Sequence, residues 1–361
     1  MICRELNKPV VVEPVSVDAP KRGEVTVKIA ACGVCHSDLS ATNGTIAMPP
    51  PLVLGHEAAG EVIEVGEGVT GLAVGDHVVS SFIYMCGRCR FCAAGRPVLC
   101  IEQGKALTTP PEGTPRVKDA AGKPLGIFSG CGVMAEYATL SVDNLVRIDP
   151  KIPLDRAALV GCAVTTGVGA VFNTAKVEPG SSVAVFGCGG VGLNVVQGAA
   201  IAGAERIIAI DTLPEKLEMA KRFGATDTVL AKPGEDTAKA LKKMTGGGPD
   251  YAFECVGAGV LAETAYRAIR RGGKAVIVGV ARPTEAASFR PMSMVFEEKT
   301  LQGSYFGSSV PRIDFPKMLQ LYMAGRLKLD ELITHRYKID EAPQAFADLE
   351  SGRNARGVIV F

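Results

Sequence analysis

The chain has 361 residues, which is enough for two domains that each bury a hydrophobic core. A formal net charge of +1 and a charged fraction of 21% exclude the strongly basic surface that is typical of nucleic-acid binding. The odd number of cysteines, 11 in a chain of this length, argues against a small disulfide-stapled secreted fold and favours metal binding.

The first part of the chain, to about residue 150, predicts short β-strands. Residues 24–30 (EVTVKIA) alternate polar and apolar side chains, as a half-buried strand does, and residues 61–65 and 77–80 are similar. Glycine-rich turns separate these segments. Residues 108–125 are rich in proline, glycine and lysine, and they predict an exposed loop.

Four cysteines within this part form the pattern C-x2-C-x2-C-x7-C: Cys86, Cys89, Cys92 and Cys100. Four thiolates gathered by short loops suit a closed, structural Zn2+ site. Gly87 and Gly95 supply the backbone freedom that tight turns need. An iron–sulfur site is the alternative, but ferredoxin-type runs place the fourth cysteine after three residues and follow it with proline. Here Ile101 follows, so zinc is favoured.

From about residue 157, apolar strands alternate with helical patterns. This order predicts a parallel sheet covered by helices on both faces. The predicted strands are 182–186, 206–210, 251–254 and 275–280, and the predicted helices run to about residue 202 and over 214–223. Near Tyr305 the alternation stops, and mixed helix and strand signals follow.

Two uncharged stretches, 157–175 and 181–204, raise the question of a membrane span. Both are interrupted by Gly, Thr, Asn or Gln, so neither predicts one. The N-terminal residues mix charges with apolar residues and lack the apolar core and cleavage site of a signal peptide. We therefore expect a cytoplasmic protein with no membrane partner.

A G-x-G-x-x-G motif at 187–192 connects the predicted strand 182–186 to a helix. Its glycines let the backbone approach a pyrophosphate, and the helix start offers free N–H groups and the positive end of a dipole. Asp211 lies 19 residues after Gly192, at the end of the next strand. Because a carboxylate there accepts from ribose hydroxyls and repels a 2′-phosphate, the motif predicts NAD rather than NADP. A plain tight turn with a solvated Asp211 is the alternative, which the βαβ context disfavours.

Three further elements carry metal-binding residue types. They are Cys35 followed by His36, Ser37 and Asp38; Gly55-His56-Glu57; and Cys162. A lone histidine is more often a core or surface residue than a ligand, and a cysteine among apolar residues is more often a small buried hydrophobe. Spacing alone does not bring these elements together.

Taken together, the motifs resemble the zinc-dependent medium-chain alcohol dehydrogenases of the long, class I/III-like branch. GVCHSD at 33–38, GHE at 55–57, the four-cysteine loop, GCAVTTG at 161–167 and GCGGVG at 187–192 occur in the family's order over essentially the whole chain. The resemblance implies an α/β fold: a Rossmann domain with a doubly wound parallel sheet at 164–305, and a mostly β, GroES-like catalytic domain formed by 1–163 and 306–361.

The resemblance also implies two zinc ions per subunit. The catalytic one would be held by Cys35, His56 and Cys162, with a fourth position left for water or the substrate oxygen. The implied reaction is reversible hydride transfer between an alcohol bound there and NAD, giving an aldehyde or ketone. In the family pattern, Ser37 matches the hydroxyl that starts proton transfer and Asp38 the carboxylate that orients the zinc-binding histidine. Glu57 matches a carboxylate beside the metal.

Further positions match the family's cofactor and substrate contacts. His36 and Arg356 match phosphate contacts. The other cofactor positions are Thr166, Gly187, Gly189, Gly190, Val191, Gly192, Asp211, Lys216, Val278 and Val280. The candidates for the wall of the substrate pocket are Met48, Phe82 and Tyr305.

Ser40 departs from the family pattern. Many relatives have a histidine five residues after the first zinc cysteine, where it ends a proton relay, and Ser40 stands at that position here. We therefore expect protons to leave through Ser37, a ribose hydroxyl and water.

Other functions share some of these features. A glutathione-dependent formaldehyde dehydrogenase, which oxidises a thiol adduct, has very similar zinc motifs and stays open as an alternative. A zinc-free quinone-type reductase lacks the ligand set, and a polyol dehydrogenase usually carries a carboxylate in place of Cys162. A non-catalytic NAD-binding redox sensor leaves the combination of Ser37, His56 and Cys162 unexplained. The long segment between Cys100 and Tyr137 resembles the longer, often dimeric branch of the family. This resemblance implies a homodimer, associated through 291–303, with a tetramer as the alternative.

Overall fold

The computed structural model describes residues 1–111 and 113–361, so one position of the predicted 108–125 loop, Glu112, lies outside the described residues. The chain folds into two units. The first comprises Met1–Cys162, Val310–Ala324 and Leu329–Phe361, and the second comprises Ala163–Ser309 and Gly325–Lys328. The expected division after residue 163 is close to the first of these breaks, whereas the return to the first unit comes after Ser309 rather than after residue 305.

The strands and helices of the described residues are numbered in chain order. The strands are β1 (Ile2–Cys3), β2 (Val15–Val17), β3 (Glu24–Val34), β4 (Leu52–Val53), β5 (Ala58–Val65), β6 (His77–Ser80), β7 (Val117–Asp119), β8 (Pro124–Ile127), β9 (Tyr137–Ser141), β10 (Leu145–Arg147), β11 (Ser182–Phe186), β12 (Arg206–Asp211), β13 (Asp227–Leu230), β14 (Tyr251–Glu254), β15 (Lys274–Ile277), β16 (Thr300–Gly303), β17 (Ile333–Tyr337) and β18 (Arg356–Val360). The helices are α1 (His36–Thr42), α2 (Arg90–Ala93), α3 (Leu154–Ala158), α4 (Ala163–Gly169), α5 (Gly190–Ile201), α6 (Pro214–Arg222), α7 (Thr237–Met244), α8 (Gly259–Ala268), α9 (Pro291–Phe296), α10 (Pro311–Met323) and α11 (Ala342–Glu350).

The first unit is built around β3, the strand that the alternating residues 24–30 predict. β3 continues to Val34, pairs with β5, β9 and β18, and belongs to a sheet of order β10-β6-β5-β3-β18-β17 to which β9 adds on β3. Its apolar residues Val25, Val27 and Ile29 are buried in the core of the unit. The pairing of β18 with β3 sets Gly357 opposite Val34, and so fixes Arg356 close to the end of β3. Strand pairing therefore gathers residues that are far apart in the chain.

The expectation of an exposed loop over 108–125 is wrong at its end. Val117–Asp119 and Pro124–Ile127 are paired strands, and the Arg116 side chain before them is 1% exposed. The guanidinium of Arg116 donates two hydrogen bonds of 2.8 Å to the carboxylate of Glu24, which is fully buried. Breaking such a buried pair leaves an uncompensated charge and costs about 3–5 kcal/mol. Composition predicted the loop, but it does not reveal the long-range pairing that buries Arg116 and forms these strands.

The second unit contains the parallel sheet that the sequence predicts. Its order is β13-β12-β11-β14-β15-β16, and every neighbouring pair is parallel. The predicted strands 182–186 and 251–254 match β11 and β14 residue for residue. From β11 the chain continues to one side through β12 and β13, and then crosses to β14 on the other side. The boundary between β11 and β14 is thus the topological switch point, where open α/β sheets bind ligands.

Among the described residues, no single helix is long and apolar enough to cross a membrane. The two helical segments Leu154–Gly161 and Ala163–Ala175 pass that test only as a bent pair, by length and composition. Most of their residues are buried within the folded chain.

Candidate metal centres and cofactor site

A cluster of four metal-binding side chains forms in the first unit. The Sγ atoms of Cys35 and Cys162, one ring nitrogen of His56 and a carboxylate oxygen of Glu57 all lie within 4.8 Å of one another, and all four residues are buried. Cys35 follows the end of β3 and precedes α1, whereas His56 and Glu57 directly precede β5. Cys162 follows a short 3-10 turn after α3. The structure thus brings together the three elements that spacing alone did not connect.

Gly55 is required by this arrangement. Its φ is +95°, and a Cβ on it would lie 2.3 Å from the backbone nitrogen of Met134. Any other residue would therefore be strained and would also force the chain away from Met134. The glycine of the GHE motif thus sets the position of His56.

The donor set fits a zinc ion. Two Zn–S bonds of 2.3 Å in a tetrahedral site separate the sulfurs by about 3.8 Å, and the Sγ atoms of Cys35 and Cys162 are 4.0 Å apart. The Nε2 atom of His56 is buried and has no hydrogen-bond partner in the protein, which is costly unless another group binds it. The contact with Cys162 lowers the pKa of Cys35, and the same contact raises the pKa of Cys162. Two thiols this close resist ionising together, and a divalent cation between them removes that penalty.

Asp38 lies beside His56. Its Oδ2 is 3.2 Å from Nδ1 of His56, outside the angular range of a hydrogen bond, and its Oδ1 accepts the N–H of Gly55 at 2.8 Å. Burial alone would lower the pKa of His56, but the charge of Asp38 raises it. The carboxylate thus favours a proton on Nδ1, which leaves Nε2 as the nitrogen that can bind a metal.

Aromatic rings surround the histidine. The rings of Phe82 and Phe128 meet the His56 ring edge-on, with centroids 5.5 and 5.3 Å away. Phe82 was among the expected pocket residues, whereas no sequence pattern singled out Phe128, which is buried. Met48, another expected pocket residue, belongs to the same apolar core and is 8% exposed. The ring of His56 is therefore flanked by two aromatic rings.

Ser37 and Arg356 each contact one member of the metal cluster. The Cys35 thiol donates to the hydroxyl of Ser37 over 3.7 Å. The guanidinium of Arg356, 4% exposed, pairs with the fully buried carboxylate of Glu57. Burial raises the pKa of Glu57 to about 8, although the charge of Arg356 opposes that shift. The family resemblance assigned Arg356 to a cofactor phosphate, whereas in the structure its guanidinium pairs with Glu57. The phosphate contacts of Arg356 and of His36, at the start of α1, stay predictions.

The four-cysteine motif forms a second cluster. The Sγ atoms of Cys86, Cys89, Cys92 and Cys100 lie within 4.8 Å of one another. The separations of Cys86 from Cys92 and of Cys89 from Cys100 are both 4.0 Å, close to the spacing in a tetrahedral zinc site. Gly87 and Gly95 both have φ of +71°, as the predicted tight turns require. With four thiolates available, such a site leaves no open position for a substrate.

The glycine motif lies at the carboxyl end of β11, in the second unit. Gly187 has φ of +89°, and a Cβ on Gly192 would lie 1.8 Å from the carbonyl oxygen of Gly187, so a side chain is excluded at that position. α5 begins at Gly190 and presents its N–H groups at this end of the sheet. This backbone cradle and the exposed helix start fit a dinucleotide pyrophosphate.

Asp211 ends β12 beside the glycine motif. Its Oδ2 accepts the N–H of Cys188 at 2.7 Å, and its Oδ1 accepts the N–H of Thr212 at 2.8 Å and that of Leu213 at 3.1 Å. The carboxylate is thus held in one orientation by one N–H of the glycine loop and by two N–H groups of the residues that follow β12. The sequence placed Asp211 at the cofactor ribose but did not foresee this contact.

The remaining cofactor candidates are spread over the second unit. Lys216 lies on α6, Thr166 on α4 and Val191 in the first turn of α5. Val278 is 8% exposed and Val280 is 65% exposed, both after β15. Tyr305, expected in the pocket wall, is 47% exposed. The roles of these residues stay predictions.

Two family descriptions match the chain. "Alcohol dehydrogenase GroES-like domain" matches residues 21–150, and "Zinc-binding dehydrogenase" matches residues 190–324. An S-(hydroxymethyl)glutathione dehydrogenase of Synechocystis sp. is 42% identical over 362 residues, which is 98% of this chain and 97% of the relative.

Solved structures of dehydrogenases resemble this fold over its whole length. The alcohol dehydrogenase zinc-binding domain protein of Burkholderia ambifaria has a TM-score of 0.95 and 35% identity, covering 100% of this chain and 97% of the other. The benzyl alcohol dehydrogenase of Acinetobacter calcoaceticus has a TM-score of 0.94 and 32% identity, covering 100% of this chain and 98% of the other.

Proposed function

This chain belongs to the zinc-dependent medium-chain alcohol dehydrogenase family, and we propose that it oxidises an apolar primary or secondary alcohol to the aldehyde or ketone at the Cys35–His56–Cys162 centre, with NAD as hydride acceptor. The observation that carries the proposal is the buried set of ligand atoms within 4.8 Å, in which Nε2 of His56 has no protein partner. The reaction converts the alcohol and NAD+ to the carbonyl compound, NADH and one proton.

Cys35, His56 and Cys162 would hold a zinc ion, which would supply the Lewis acidity that lowers the pKa of an alcohol hydroxyl, and bound NAD would supply the hydride acceptor. Ser37, next to Cys35, takes the hydroxyl proton and passes it toward solvent. Asp38 keeps His56 in the tautomer that binds the metal through Nε2. The aromatic rings of Phe82 and Phe128 exclude water around the histidine.

In the second unit, the glycine motif binds the pyrophosphate with backbone N–H groups and the start of α5. Asp211 binds the adenosine ribose through its carboxylate, and its charge repels the 2′-phosphate of NADP. The fixed orientation of Asp211 supports this role, because the contact with Cys188 aligns the carboxylate before the cofactor arrives.

A second candidate substrate is S-(hydroxymethyl)glutathione. Curated relatives at 42% identity over nearly the whole chain carry that activity in their names. A thiol adduct and an apolar alcohol both present a hydroxyl to the metal, but the adduct also carries a charged peptide. The choice between the two substrates therefore depends on how the protein contacts the rest of the substrate, away from the reacting hydroxyl.

One kinetic panel tests both candidates. The purified protein is assayed with NAD and with NADP on ethanol, 2-propanol, benzyl alcohol, cinnamyl alcohol and S-(hydroxymethyl)glutathione, scored by kcat/KM, with zinc content measured on the same samples. A kcat/KM for benzyl or cinnamyl alcohol well above that for the adduct supports the first candidate. A higher value for the adduct establishes the second, and no NAD-dependent turnover on any member refutes both.

We also propose that the protein is a cytoplasmic homodimer. The helix α9 exposes Met292, Val295 and Phe296, which are 65%, 71% and 78% exposed, and β16 after it is an edge strand of the parallel sheet. Exposed apolar residues beside an open strand edge are typical of an interface. The 11 cysteines, all within the described residues, form no disulfide, which agrees with a reducing compartment. Sedimentation of wild type and of Phe296→Lys tests the dimer: we expect the variant to be monomeric, and a wild-type monomer or tetramer would refute the proposal.

A further inference from the structure

The backbone around Arg356 is irregular. Arg356, whose guanidinium pairs with the buried carboxylate of Glu57, is the first residue of β18. The register of β17 against β18 shifts between Ile333 and His335, which leaves Thr334 as an extra residue opposite the start of β18. The hydroxyl of Thr334 donates to the carbonyl oxygen of Arg356 at 3.2 Å. Because such a bulge changes the direction of nearby side chains and is common next to active sites, the contacts of this segment bear on the metal centre.

Tyr337, the last residue of β17, contacts the chain before and after Arg356. Its hydroxyl accepts a hydrogen bond of 2.6 Å from the side-chain amide of Asn354. A Cβ on Gly357 would lie 2.9 Å from Cε2 of the Tyr337 ring, so the ring and this backbone pack without spare space. The tyrosine is buried. One side chain therefore holds the segment 354–357, which carries Arg356.

The tyrosine hydroxyl is itself held by a carboxylate of α11. It donates to Oδ2 of Asp348 at 2.6 Å, while Oδ1 of Asp348 accepts the side-chain amide of Gln344 at 2.8 Å. The Tyr337 hydroxyl and the Gln344 amide lower the pKa of Asp348, which also pairs with Arg353. Hydrogen bonds to a charged carboxylate are roughly twice as strong as neutral ones. The helix α11 thus fixes the hydroxyl that in turn holds Asn354.

The position of Arg356 matters because of Glu57. Oε2 of Glu57 pairs with the guanidinium, whereas Oε1 is buried and has no hydrogen-bond partner among the residues that the structure describes. A carboxylate oxygen of Glu57 is also one of the four ligand atoms that lie within 4.8 Å of one another at the metal centre. The carboxylate therefore lies between two cation sites, and a divalent ion would favour its charged form as the guanidinium does.

A fourth protein ligand would close the metal centre. A catalytic zinc site has three protein ligands and keeps one position for the substrate, so the proposed reaction requires Glu57 to stay with Arg356. A buried charge that loses its partner is costly. A displaced guanidinium would therefore leave the Glu57 carboxylate to the metal. The metal would then be bound more tightly, and the substrate would lose its position.

We propose that Tyr337 is a positioning residue for the metal centre: it holds the segment 354–357 so that Arg356 keeps the Glu57 carboxylate out of the ligand position that the substrate needs. The inference rests on the proposed alcohol oxidation at this centre. Tyr337 acts through Arg356, since its own contacts are with Asn354, Gly357 and Asp348.

The test compares Tyr337→Phe with Tyr322→Phe. The phenylalanine at 337 keeps the ring against Gly357 and removes only the hydroxyl. Tyr322 is the matched control, because its hydroxyl also donates to a carboxylate of the same unit, Oδ2 of Asp330 at 3.1 Å. Two quantities are measured on the zinc-loaded protein: kcat for benzyl alcohol with NAD, and the rate of zinc release to a chelator. The release phase that is absent from Cys162→Ala belongs to the catalytic centre.

We expect Tyr337→Phe to lower kcat about tenfold and to slow the release of the catalytic zinc about tenfold, as the loss of one charge-assisted hydrogen bond predicts. Tyr322→Phe should change neither quantity. A residue that only stabilises the fold would have the opposite effect on the metal, because a loosened centre releases zinc faster. In a double variant with Glu57→Gln, which removes the carboxylate, Tyr337→Phe should no longer slow zinc release.

Three results would overturn the proposal: release of the catalytic zinc from Tyr337→Phe that is unchanged or faster, equal slowing in Tyr322→Phe, or the same slowing with and without the Glu57 carboxylate. If Tyr337→Phe fails to fold, Asn354→Ala removes the other side of the same hydrogen bond and is measured in its place, with the same expected results. A wild type that oxidises no alcohol would refute the proposed function, whereas the zinc-release rates would still decide the role of Tyr337.

Discussion

Oδ2 of Asp38 lies 3.2 Å from Nδ1 of His56, while its Oδ1 accepts the N–H of Gly55 at 2.8 Å. One carboxylate therefore contacts His56, the proposed zinc ligand, and also holds the residue that precedes it. Because both contacts act within the GHE motif, the position of Nε2 at the metal centre depends on Asp38.

Asp38→Asn should weaken zinc binding at the catalytic centre without unfolding the protein. The amide keeps an oxygen for Gly55 but removes the negative charge beside His56. Loss of such a carboxylate behind a metal-binding histidine typically reduces metal affinity or activity by about 10–100-fold. Zinc content during graded chelation and kcat/KM are the measurements. Asp76→Asn is the control, since Asp76 accepts the N–H of Ala73 at 2.8 Å in a surface turn. Equal zinc retention in both variants would contradict the assignment.

Ser37→Ala should lower kcat by about a hundredfold or more, because removal of a positioned proton-transfer group costs about 10²–10⁴-fold. The hydroxyl lies 3.7 Å from Sγ of Cys35, close to the metal centre. Ser40→Ala is the matched control: it removes a hydroxyl from the same helix, at the position where many family members have a histidine. We expect Ser40→Ala to retain wild-type kcat over the pH range. Wild-type turnover by Ser37→Ala would refute the proton path.

The sequence predicted local features well and long-range contacts poorly. The glycine motif and β11 follow from a short pattern of apolar residues and glycines, so both could be predicted. The contact of Cys35 with Cys162 spans 127 residues and that of Arg356 with Glu57 spans 299, and both result from tertiary packing that no spacing encodes. The catalytic ligand set was therefore reached through a family resemblance, and the partner of Arg356 was missed. Phe128 was missed because a phenylalanine looks like any other core residue until its contact with the His56 ring is known.

Asp211→Asn should change cofactor choice and affinity together. The asparagine loses the charge that repels a 2′-phosphate, so NADPH should bind more tightly than it does to wild type. Its amide also replaces one of the two oxygens that accept from Cys188 and from Thr212, so NADH should bind about tenfold more weakly. Dissociation constants for both cofactors measure the two effects. Asp227→Asn, which removes a carboxylate paired with Arg206 at the first residue of β13, is the control. If Asp211→Asn weakened NADH and NADPH by the same factor, the charge argument would be wrong.

Removal of the zinc held by the four cysteines should lower the free energy of unfolding without lowering the rate of alcohol oxidation. The four thiolates leave no ligand position open, and α2 together with the turns at Gly87 and Gly95 lies between the first and last of them. We expect Cys89→Ala to lose about one zinc per subunit. We expect the same variant to lose about 3 kcal/mol of its free energy of unfolding. In a protein larger than 150 residues, this loss lowers the melting temperature by about 6–12 °C.

The fraction of Cys89→Ala that stays folded should oxidise alcohol at the wild-type rate, normalised to bound NADH. Cys3→Ala is the control, because Cys3 is a buried cysteine of the same unit outside both clusters; it should keep two zinc ions. If Cys89→Ala yields no folded protein, graded chelation of the wild type supplies the same comparison. Loss of the first zinc with full turnover but a lower melting temperature would identify the structural site. Loss of turnover at an unchanged melting temperature, in the variant or on chelation, would mean that the four-cysteine site takes part in the chemistry.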